Sequence, residues 1–372
     1  MKKIAIIGAN EFQNPLILKA KQMGFETHVF AWAAGDIGEK TADFFYPISI
    51  IEGDVILQKC REIGICAICS IGSDLAVHTV NHVARAMGFP CNSERCDRVA
   101  TDKYHMRTAF MQANIPTPKF ALAGQDFSLD AIEGFTFPMI VKPTDRSGSR
   151  GITKVEAPEE ILPAVKAAQA QSFGKEAIIE EFVYGEEYSC ECISFAGRHE
   201  MLAITKKYTT EAPHFIECGH VEPSDIPVRF IPMIRETVFR AMDALDIRYG
   251  ASHPEFRLTP EGELRLIEIG ARMGGDCIGS DLVEISTGYD FTRMVIDVAC
   301  GNPPDLTPVK KPERAAVWFV FDHEDAARMR RALAETPELI WRASELHEIE
   351  DNAVTDSSNR FGYYITATPF DR

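Results

Sequence analysis

Residues 253–272 read His-Pro-Glu-Phe-Arg-Leu-Thr-Pro-Glu-Gly-Glu-Leu-Arg-Leu-Ile-Glu-Ile-Gly-Ala-Arg, and this stretch decides the fold. Apolar and β-branched residues flank the turn Thr259-Pro-Glu-Gly262, which predicts a hairpin of two antiparallel strands. Glu255 lies on the first strand and Glu268 on the second. A two-residue turn at Glu261-Gly262 would place the two carboxylates opposite each other, with Cβ atoms about 5 Å apart on one face.

The length of the turn decides whether this pair forms. A three-residue loop turns one glutamate to the other face, unless a β-bulge restores the pair. Two opposed carboxylates suit Mg²⁺, which takes oxygen ligands near about 2.1 Å and keeps waters or substrate phosphates in its other positions. Glu255, Glu268 and Arg272 are therefore candidates for binding a divalent metal and phosphate. The alternative is a solvated hairpin edge with unrelated acids.

Composition limits the classes of function. The chain has 372 residues, enough for two or three domains with a sizeable core. Its 55 acidic and 39 basic side chains give a formal net charge of -16, which argues against a nucleic-acid surface and against an anionic membrane. The apolar run Ile4-Ala-Ile-Ile7 is too short for a signal peptide, and no later stretch reaches membrane-spanning length. These features predict a cytoplasmic protein.

The cysteines do not indicate a metal or disulfide framework. There are 10 of them without regular spacing, which is typical of reduced thiols in a large acidic chain. Cys66-Ala-Ile-Cys69 has the spacing of redox and zinc motifs, but it lies in the apolar run Ile65–Ile71, which indicates a buried strand. Side chains three residues apart on a strand point to opposite faces, so we do not expect this pair to share a metal.

The first hundred residues alternate strand-like and helix-like segments, which indicates a parallel sheet wrapped by helices. The predicted strands are 3–9, 27–32, 45–50 and 66–71, and the predicted helices include 16–23 and 74–87. Gly8-Ala-Asn10 ends the first strand, where a dinucleotide-binding fold would have its glycine motif. The G-x-G-x-x-G spacing is absent, so NAD is not inferred.

Prolines indicate the later boundaries, because they disfavour helix. A predicted helix from Ser93 to Asn114 leads into Ile115-Pro-Thr-Pro118, and a mixed segment follows Asn302-Pro-Pro304. Between these boundaries, 137–142, 152–155, 177–182 and 188–195 are predicted as strands and 159–171 as a helix. Beyond the second boundary, 315–321 and 363–367 are predicted as strands around a helix at 325–334.

The loop Asp145-Arg-Ser-Gly-Ser-Arg-Gly151 is a candidate phosphate cradle, because its glycines let backbone N–H groups approach an anion and Arg150 adds charge. It lacks the P-loop pattern, and an ordinary hairpin loop is the alternative. Lys142 directly precedes the loop and Lys103 lies in a helix-like segment upstream. Each ammonium suits a triphosphate, with plain surface charge as the alternative.

Two further groups are candidates for binding substrates. Glu180-Glu-Phe-Val183 and Glu187 could offer backbone groups to an adenine edge and a carboxylate to ribose hydroxyls, although a strand and turn would suit the same letters. Near Pro213 and Pro223, a polar cluster is suited to orienting an acceptor or removing its proton, with a solvated loop as the alternative. That cluster comprises Lys207, His214, Glu217 and His220, and Ser280 and Asp281 are comparable candidates after Gly274-Gly275.

The order of these motifs resembles the ATP-grasp superfamily from about Asp102 to Asp297. The run Ile267–Cys277 and the later Ser286-Thr-Gly-Tyr-Asp290 are similar to the branch that includes L-amino-acid ligases and carbamoyl-phosphate-synthase-like proteins. The motifs in order are Lys103, Val-Lys142-Pro, Ser147-Gly-Ser-Arg-Gly151, Glu180-Glu-Phe-Val183, Glu187, Glu255 and Glu268-Ile-Gly-Ala-Arg272.

The resemblance implies an α/β fold. Its expected parts are a Rossmann-like pre-ATP-grasp domain at 1–97, a two-subdomain α+β ATP-grasp domain at 98–303 with its lid at about 118–184, and a small C-terminal α/β segment at 304–372. Homodimers are frequent in enzymes of this type.

The resemblance also implies a role for each motif residue, with ATP and Mg²⁺ or Mn²⁺ as cofactors. Lys103 and Lys142 would contact ATP phosphates, and the loop of Ser147, Gly148, Ser149, Arg150 and Gly151 would close over them. Glu180, Phe182 and Val183 would line the adenine site, Glu187 would hold the ribose, Glu255 and Glu268 would bind metal, and Arg272 would steady the transferred phosphoryl group. Gly270 stands where the family usually has a metal-binding asparagine, which leaves open whether one or two ions bind.

The implied activity is that of an ADP-forming carbon–nitrogen ligase. A small carboxylate would be activated as an acyl phosphate and then joined to an amine, or to a thiol. Three alternatives remain: a biotin-carboxylase-like enzyme, a phosphoribosyl-amine ligase, and a regulatory protein that binds ATP without turnover.

Overall fold

A computed structural model describes residues 1–210, 215–349 and 354–371, and its strands form three sheets. The first sheet is parallel, has the order β3-β2-β1-β4, and confirms the predicted Rossmann-like N-terminal unit. Its strands are β1 (Lys2–Ile7), β2 (Phe25–Phe30), β3 (Phe44–Tyr46) and β4 (Ala67–Cys69). The helices of this part are α1 (Asn14–Gln22), α2 (Ile37–Thr41), α3 (Gly53–Ile63), α4 (Asp74–Met87), α5 (Glu94–Thr101) and α6 (Lys103–Gln112).

The second sheet is antiparallel, has the order β5-β8-β6-β7, and is covered by α7. It is built from β5 (Phe120–Ala123), β6 (Met139–Pro143), β7 (Thr153–Val155), α7 (Pro158–Gln171) and β8 (Ala177–Glu181). Val141 and Ile179 pack beneath Ile161 and Val165 of α7, and all four are buried. This small layer carries the glycine-bearing loop between β6 and β7.

The third sheet has eight strands in the order β13-β12-β9-β10-β11-β14-β16-β15. Its strands are β9 (Glu186–Phe195), β10 (Arg198–Thr209), β11 (Glu217–Glu222), β12 (Gly250–Leu258), β13 (Leu264–Gly270), β14 (Arg314–Val320), β15 (Ile340–Ala343) and β16 (Gly362–Thr368). The C-terminal strands therefore extend the central sheet through the pairing of β14 with β11. Four helices accompany it: α8 (Ile231–Ala244), α9 (Val283–Thr287), α10 (Phe291–Ala299) and α11 (His323–Glu335).

Two buried cores join these layers. Phe291 and Val295 of α10 belong to the same core as Ile4 and Ile6 of β1, so the N-terminal sheet is packed directly against the central part. On the other side, Phe110 of α6 packs with residues of α8 and of β12 and β13. Among the described residues, no helix has the length and apolar character needed to cross a membrane.

The sequence-based element boundaries need three corrections. The predicted helix from Ser93 to Asn114 is two helices, because Asp102 adopts an extended conformation and its side chain accepts from the N–H of His105 to begin α6. The predicted strand 45–50 ends at Tyr46, since Pro47 has no N–H to donate to a ladder. The polar segment that also suited a solvated loop contributes to β10 and β11, which pair as an antiparallel hairpin.

Candidate active site

The hairpin of β12 and β13 brings the two predicted metal-binding glutamates opposite each other. Glu255 is the register partner of Glu268, as predicted. Of the two turn lengths considered, the structure has the three-residue loop, because the N–H of Thr259 donates to the carbonyl of Glu263 at 2.9 Å. The register shifts between Glu255 and Phe256, where Ile267 is the extra residue on the facing strand, and this bulge restores the pair.

Basic side chains surround both carboxylates. Oε1 of Glu255 accepts from Nζ of Lys207 at 3.0 Å and from Nε2 of His253 at 3.0 Å. Burial alone would raise the pKa of Glu255, but Lys207 and His253 hold that pKa well below its usual value. Oε1 of Glu268 accepts from Nζ of Lys103 at 3.0 Å. Glu255 is therefore charged in neutral solution, as a ligand of a cation must be.

The guanidinium of Arg272 is held by a carboxylate from the N-terminal sheet. Nε and Nη2 of Arg272 donate to the two oxygens of Asp74 at 2.9 and 3.1 Å. Asp74 is the first residue of α4, whose N-terminus is capped by the hydroxyl of Ser73. Burial would raise the pKa of Asp74, but Arg272 keeps it below its usual value. This two-point contact fixes the plane of the guanidinium.

A buried cluster of one carboxylate and two basic side chains lies beside Lys103, at the end of the site that is further from Arg272. Glu180 is 3% exposed, and its carboxylate contacts Nε of Arg107 at 2.6 Å and Nζ of Lys142 at 2.7 Å. Burial would raise the pKa of Glu180, but the two cations lower it to about 2. Arg107 lies four residues after Lys103 on α6, and residues at that spacing share one helix face. The strand and the helix thus present Lys142 and Lys103 to one cavity.

The loop between β6 and β7 lies over this cavity. Gly148 and Gly151 have φ angles of +71° and +69°, which other residues rarely adopt. The carbonyl of Arg146 accepts from Nζ of Lys103 at 2.6 Å, and Oγ of Ser149 donates to the carbonyl of Phe215 at 3.1 Å. The loop therefore connects the small sheet to the central part of the molecule.

A cavity of about 170 Å³ lies between the small sheet and the central sheet. Phe182 and Val183 line one end, and the carboxylate of Glu187 is held by Arg257 at 2.7 Å beside them. All predicted nucleotide-binding and metal-binding residues line this cavity except Gly151, which abuts Pro143. The lining includes Lys103, Lys142, Ser147, Gly148, Ser149, Arg150, Glu180, Phe182, Val183, Glu187, Glu255, Glu268 and Arg272.

A second, more polar cavity of about 520 Å³ adjoins the first. Its walls come from the N-terminal sheet at Glu11, from β11 at His220, and from the C-terminal strands at Tyr363. The two cavities share part of their lining, which comprises Ser147, Gly148, Arg150, Glu217, His253, Glu255 and Arg272. The hairpin glutamate and the arginine thus stand at the junction of the two spaces.

Comparison with known families agrees with this geometry. Residues 135–281 match the family model of the ATP-grasp domain. These residues are therefore similar to the ATP-grasp domain. Alanine–anticapsin ligase of Bacillus subtilis is 27% identical to this chain over 307 residues, which cover 73% of the chain and 64% of that protein. D-Alanine–D-alanine ligase B of Chromobacterium violaceum is 28% identical over 202 residues, covering 53% of the chain and 66% of that ligase.

The chain thus spans slightly less than two thirds of the length of these curated relatives. Solved structures match it over nearly its whole length and establish the fold. L-Amino acid ligase from Bacillus licheniformis has a TM-score of 0.81 at 21% identity, covering 99% of this chain and 93% of that one. Phosphoribosylglycinamide synthetase from Anaerococcus prevotii has a TM-score of 0.78 at 20% identity, covering 99% and 94%.

The residues of this candidate site fit Mg²⁺ or Mn²⁺. Glu255 and Glu268 would supply hard oxygen ligands from two strands, and the remaining positions would be left to substrate oxygens. Gly270 supplies no side chain, and a Cβ there would lie 3.0 Å from Cζ of Arg272. In the described part of the chain, no group of three or more His, Cys, Asp or Glu residues forms a metal site by itself.

The polar cluster predicted near the acceptor is partly assembled. Lys207 lies opposite His220 in the pairing of β10 with β11, and both residues are at most 5% exposed. Nε2 of His220 lies 3.6 Å from Oδ2 of Asp276, beyond hydrogen-bond distance, and neither ring nitrogen has another partner among the described residues, nor does Oε2 of Glu217. His214 lies outside the described residues. Buried polar atoms without partners at a cavity wall are suited to binding a ligand.

The structure does not place Ser280 and Asp281 in either of the two cavities. They belong to a short π-helical segment, Ile278–Leu282, and Asp281 accepts from Nε1 of Trp341 at 3.1 Å and from Arg342 at 2.7 Å. The carboxylate therefore joins β15 to the core of the protein. The substrate role expected for these two residues needs correction, because their polar groups are occupied by protein partners.

The sequence-based prediction missed four residues that shape the site: Arg107, Asp74, Glu191 and Arg257. Arg107 could have been found from the sequence, since it lies four residues after Lys103, a predicted phosphate-binding lysine, on the same predicted helix. Asp74 had no such signal in the sequence, because only the packing of the N-terminal sheet against the central part of the molecule brings it to Arg272. Glu191 and Arg257 share a face with Glu187 and Glu255 by strand alternation, which the register makes evident.

Proposed function

We propose that this protein is an ATP-dependent ligase that joins a small amino-acid-like carboxylate to an amine. The carboxylate is activated as an acyl phosphate, and ADP and phosphate are released. One observation carries the proposal: Glu255 and Arg272 line both the cavity that holds the predicted nucleotide-binding residues and the larger polar cavity. A phosphoryl group at that junction would be within reach of a carboxylate entering from the second space.

The first step transfers the terminal phosphoryl group. A carboxylate oxygen attacks the γ-phosphorus, a new P–O bond forms, and the bond to the β-phosphate oxygen breaks, so that ADP leaves with that electron pair. Lys142 and Lys103 offset phosphate charge, and the guanidinium of Arg272 faces the transferred group. A metal held by Glu255 and Glu268 would neutralise charge on the phosphate oxygens. The loop over the cavity excludes water that would hydrolyse the acyl phosphate.

The second step forms the amide. The amine nitrogen attacks the acyl carbon, the C–O bond to phosphate breaks, and the nitrogen loses a proton. His220 is suited to take this proton, because burial lowers its pKa and leaves the imidazole neutral. Lys207 is not, because burial would lower its pKa but Glu255, Glu187 and Glu217 raise it well above the usual value. Glu217, with one unpaired carboxylate oxygen, is the proposed partner of the incoming amine.

Relatives with similar sequences favour amino acids as substrates. Alanine–anticapsin ligase and D-alanine–D-alanine ligase both join amino-acid-like molecules by name, and each matches this chain at 27% or 28% identity. The polar walls of the larger cavity support small substrates that carry charged groups. The domain boundaries, a homodimer and a cytoplasmic location stay predictions.

A panel of amino-acid pairs with ATP and Mg²⁺ tests the proposal. We expect at least one pair to release ADP and phosphate in equal amounts and to yield a dipeptide detected by mass spectrometry. Release of AMP and pyrophosphate would contradict the acyl-phosphate route. Binding of ATP with no turnover on any carboxylate and amine would favour a regulatory protein, and stimulation by phosphoribosyl substrates would favour a phosphoribosyl-amine ligase.

A further inference from the structure

Glu191 is an acidic residue that is completely buried in the middle of the central sheet. It lies on β9, is 0% exposed and lines neither cavity. The register pairs Ser252 with Cys192 and Glu255 with Ser189, so His253 falls opposite Glu191 on β12. Because side chains alternate along a strand, Glu191, His253 and Glu255 share one face of the sheet.

The three side chains form a continuous chain of contacts. Oε1 of Glu191 is in close contact with Nδ1 of His253, and Nε2 of the same ring lies 3.0 Å from Oε1 of Glu255. An imidazole between two carboxylates donates from both nitrogens, which fixes the rotation of the ring. The ring in turn fixes the carboxylate of Glu255, as outer partners do for metal-ligating side chains.

The second carboxylate oxygen of Glu191 accepts a hydrogen bond from the loop that follows Arg272. Oε2 accepts from the backbone N–H of Gly274 at 3.0 Å, two residues after Arg272. A Cβ atom on Gly274 would clash with both Glu191 and His253, so the loop lies directly against the pair. One buried carboxylate is thus bonded both to the strand of the metal-binding glutamate and to the loop of the arginine.

We propose that Glu191 is a positioning residue, which acts through His253 to orient the metal-binding carboxylate of Glu255 and through Gly274 to hold the loop that follows Arg272. This inference rests on the metal role given to Glu255 in the proposed function. Packing alone does not account for the arrangement, because an apolar pair of similar volume commonly stabilises a core at least as well as a buried ion pair.

Glu222 provides a matched control. It is also 0% exposed in the same sheet, and it accepts from Oγ1 of Thr205 at 2.6 Å and from Oγ of Ser286 at 2.8 Å. No contact links its carboxylate to Glu255. Burial raises the pKa of Glu222 to about 8, so this group is mostly protonated in neutral solution and glutamine imitates it closely.

Binding of Mn²⁺ tests the proposal without amine or carboxylate substrates. Free Mn²⁺ is measured by electron paramagnetic resonance in the presence of a non-hydrolysable ATP analogue, for the full-length wild type, Glu191→Gln, His253→Gln and Glu222→Gln. We expect the first two variants to weaken Mn²⁺ binding about tenfold or more, as loss of outer partners does at other metal sites. Glu222→Gln should stay within about twofold of wild type. Thermal unfolding identifies any variant that does not fold. If Glu191→Gln does not fold, Mn²⁺ binding by His253→Gln decides the test.

The inference is overturned if Glu191→Gln and His253→Gln bind Mn²⁺ like wild type, or if Glu222→Gln weakens binding as much as they do. A wild-type protein that binds the analogue but no Mn²⁺ would instead overturn the metal role in the proposed function, and this inference with it. A positioning role also requires that the concentration of Mg²⁺ giving half-maximal ADP release rise in Glu191→Gln, while the Kd of the metal-free analogue stays the same.

Discussion

Arg272 illustrates how a single side chain depends on a distant part of the chain. Its planar guanidinium is held at two points by Asp74, a residue that lies almost two hundred positions earlier. A lysine has one ammonium and cannot make the same planar contact. The position of Arg272 at the junction of the two cavities therefore depends on a residue of the N-terminal sheet.

Replacement of Arg272 by lysine should reduce kcat about a hundredfold, because removal of one preorganised donor to a transition-state oxygen costs about that factor in other enzymes. The Kd of ATP should change little, since Lys103 and Lys142 remain. ADP release and nucleotide titration measure the two quantities. Arg265→Lys on the same hairpin, where the arginine pairs with Glu263 near the surface, is the control. Unchanged kcat in Arg272→Lys would contradict the assigned role.

Glu222 predicts a dependence of stability on pH. Burial raises its pKa to about 8, above the ordinary value of 4.5. Its contribution to the free energy of unfolding is therefore full below about pH 4.5 and is lost as the pH rises through about 8. Thermal unfolding at about pH 6 and about pH 8.5 should show a smaller loss of stability in Glu222→Gln than in wild type. An identical loss in both proteins would contradict the assignment.

At the scale of elements, the hairpin of β12 and β13 shows what the sequence predicts and what it does not. Strand alternation and the turn residues predicted that Glu255 and Glu268 meet, which the register confirms. The loop length was left open between two and three residues, and the structure has three with a bulge. The bulge has no residue signature here, since its extra residue, Ile267, is not a glycine.

The same contrast holds for the other elements. Lys142, the glycine-bearing loop and the strand before Val183 are recognisable because each motif is contiguous in the chain. The sequence left open whether His220 belongs to a binding cluster or to a solvated loop. Its environment depends on the strands that pair with β11, and one of them, β14, lies about a hundred residues later in the chain. Contacts between distant segments are the part that a single sequence does not reveal.

Gly270 should be sensitive to the smallest side chain. A Cβ there would lie 3.0 Å from Cζ and 3.2 Å from Nε of Arg272, so the guanidinium must move away from Asp74. We expect Gly270→Ala to lower kcat about tenfold or more, because small displacements of positioning groups have large effects on rate. Gly124→Ala is the control, since its Cβ would meet only Glu176 at 3.9 Å. Equal rates in the two variants would contradict the close packing proposed for Gly270.

At the scale of the whole molecule, the wall of the larger cavity is completed by the C-terminal strands. Arg360 donates to both oxygens of Asp276, at 2.5 and 2.9 Å, and its guanidinium lies 3.6 Å from the ring centre of Phe319. The ion pair joins the segment before β16 to the loop after β13. Burial would raise the pKa of Asp276, but Arg360 keeps it below its usual value.

Removal of this link should affect the acceptor and not the nucleotide. In Arg360→Met, Asp276 loses its main partner, and we expect the KM of the amine substrate to rise about tenfold while the Kd of ATP stays the same. Steady-state kinetics on the best amino-acid pair and nucleotide titration give the two values. Arg331→Met is the control, because Arg331 is exposed on α11. A parallel loss of ATP binding would indicate a general disturbance of the fold.

The eight-stranded sheet has a consequence for how such a protein can diversify. Its β9, β12 and β13 carry the groups proposed for phosphoryl transfer, whereas β14 and β16 are separate strands that border only the second space. Mutations in β14 and β16 can therefore alter which amine is accepted without disturbing the residues proposed for phosphoryl transfer from ATP. Descendants of one ancestral gene could therefore acquire new products by changing their last seventy residues.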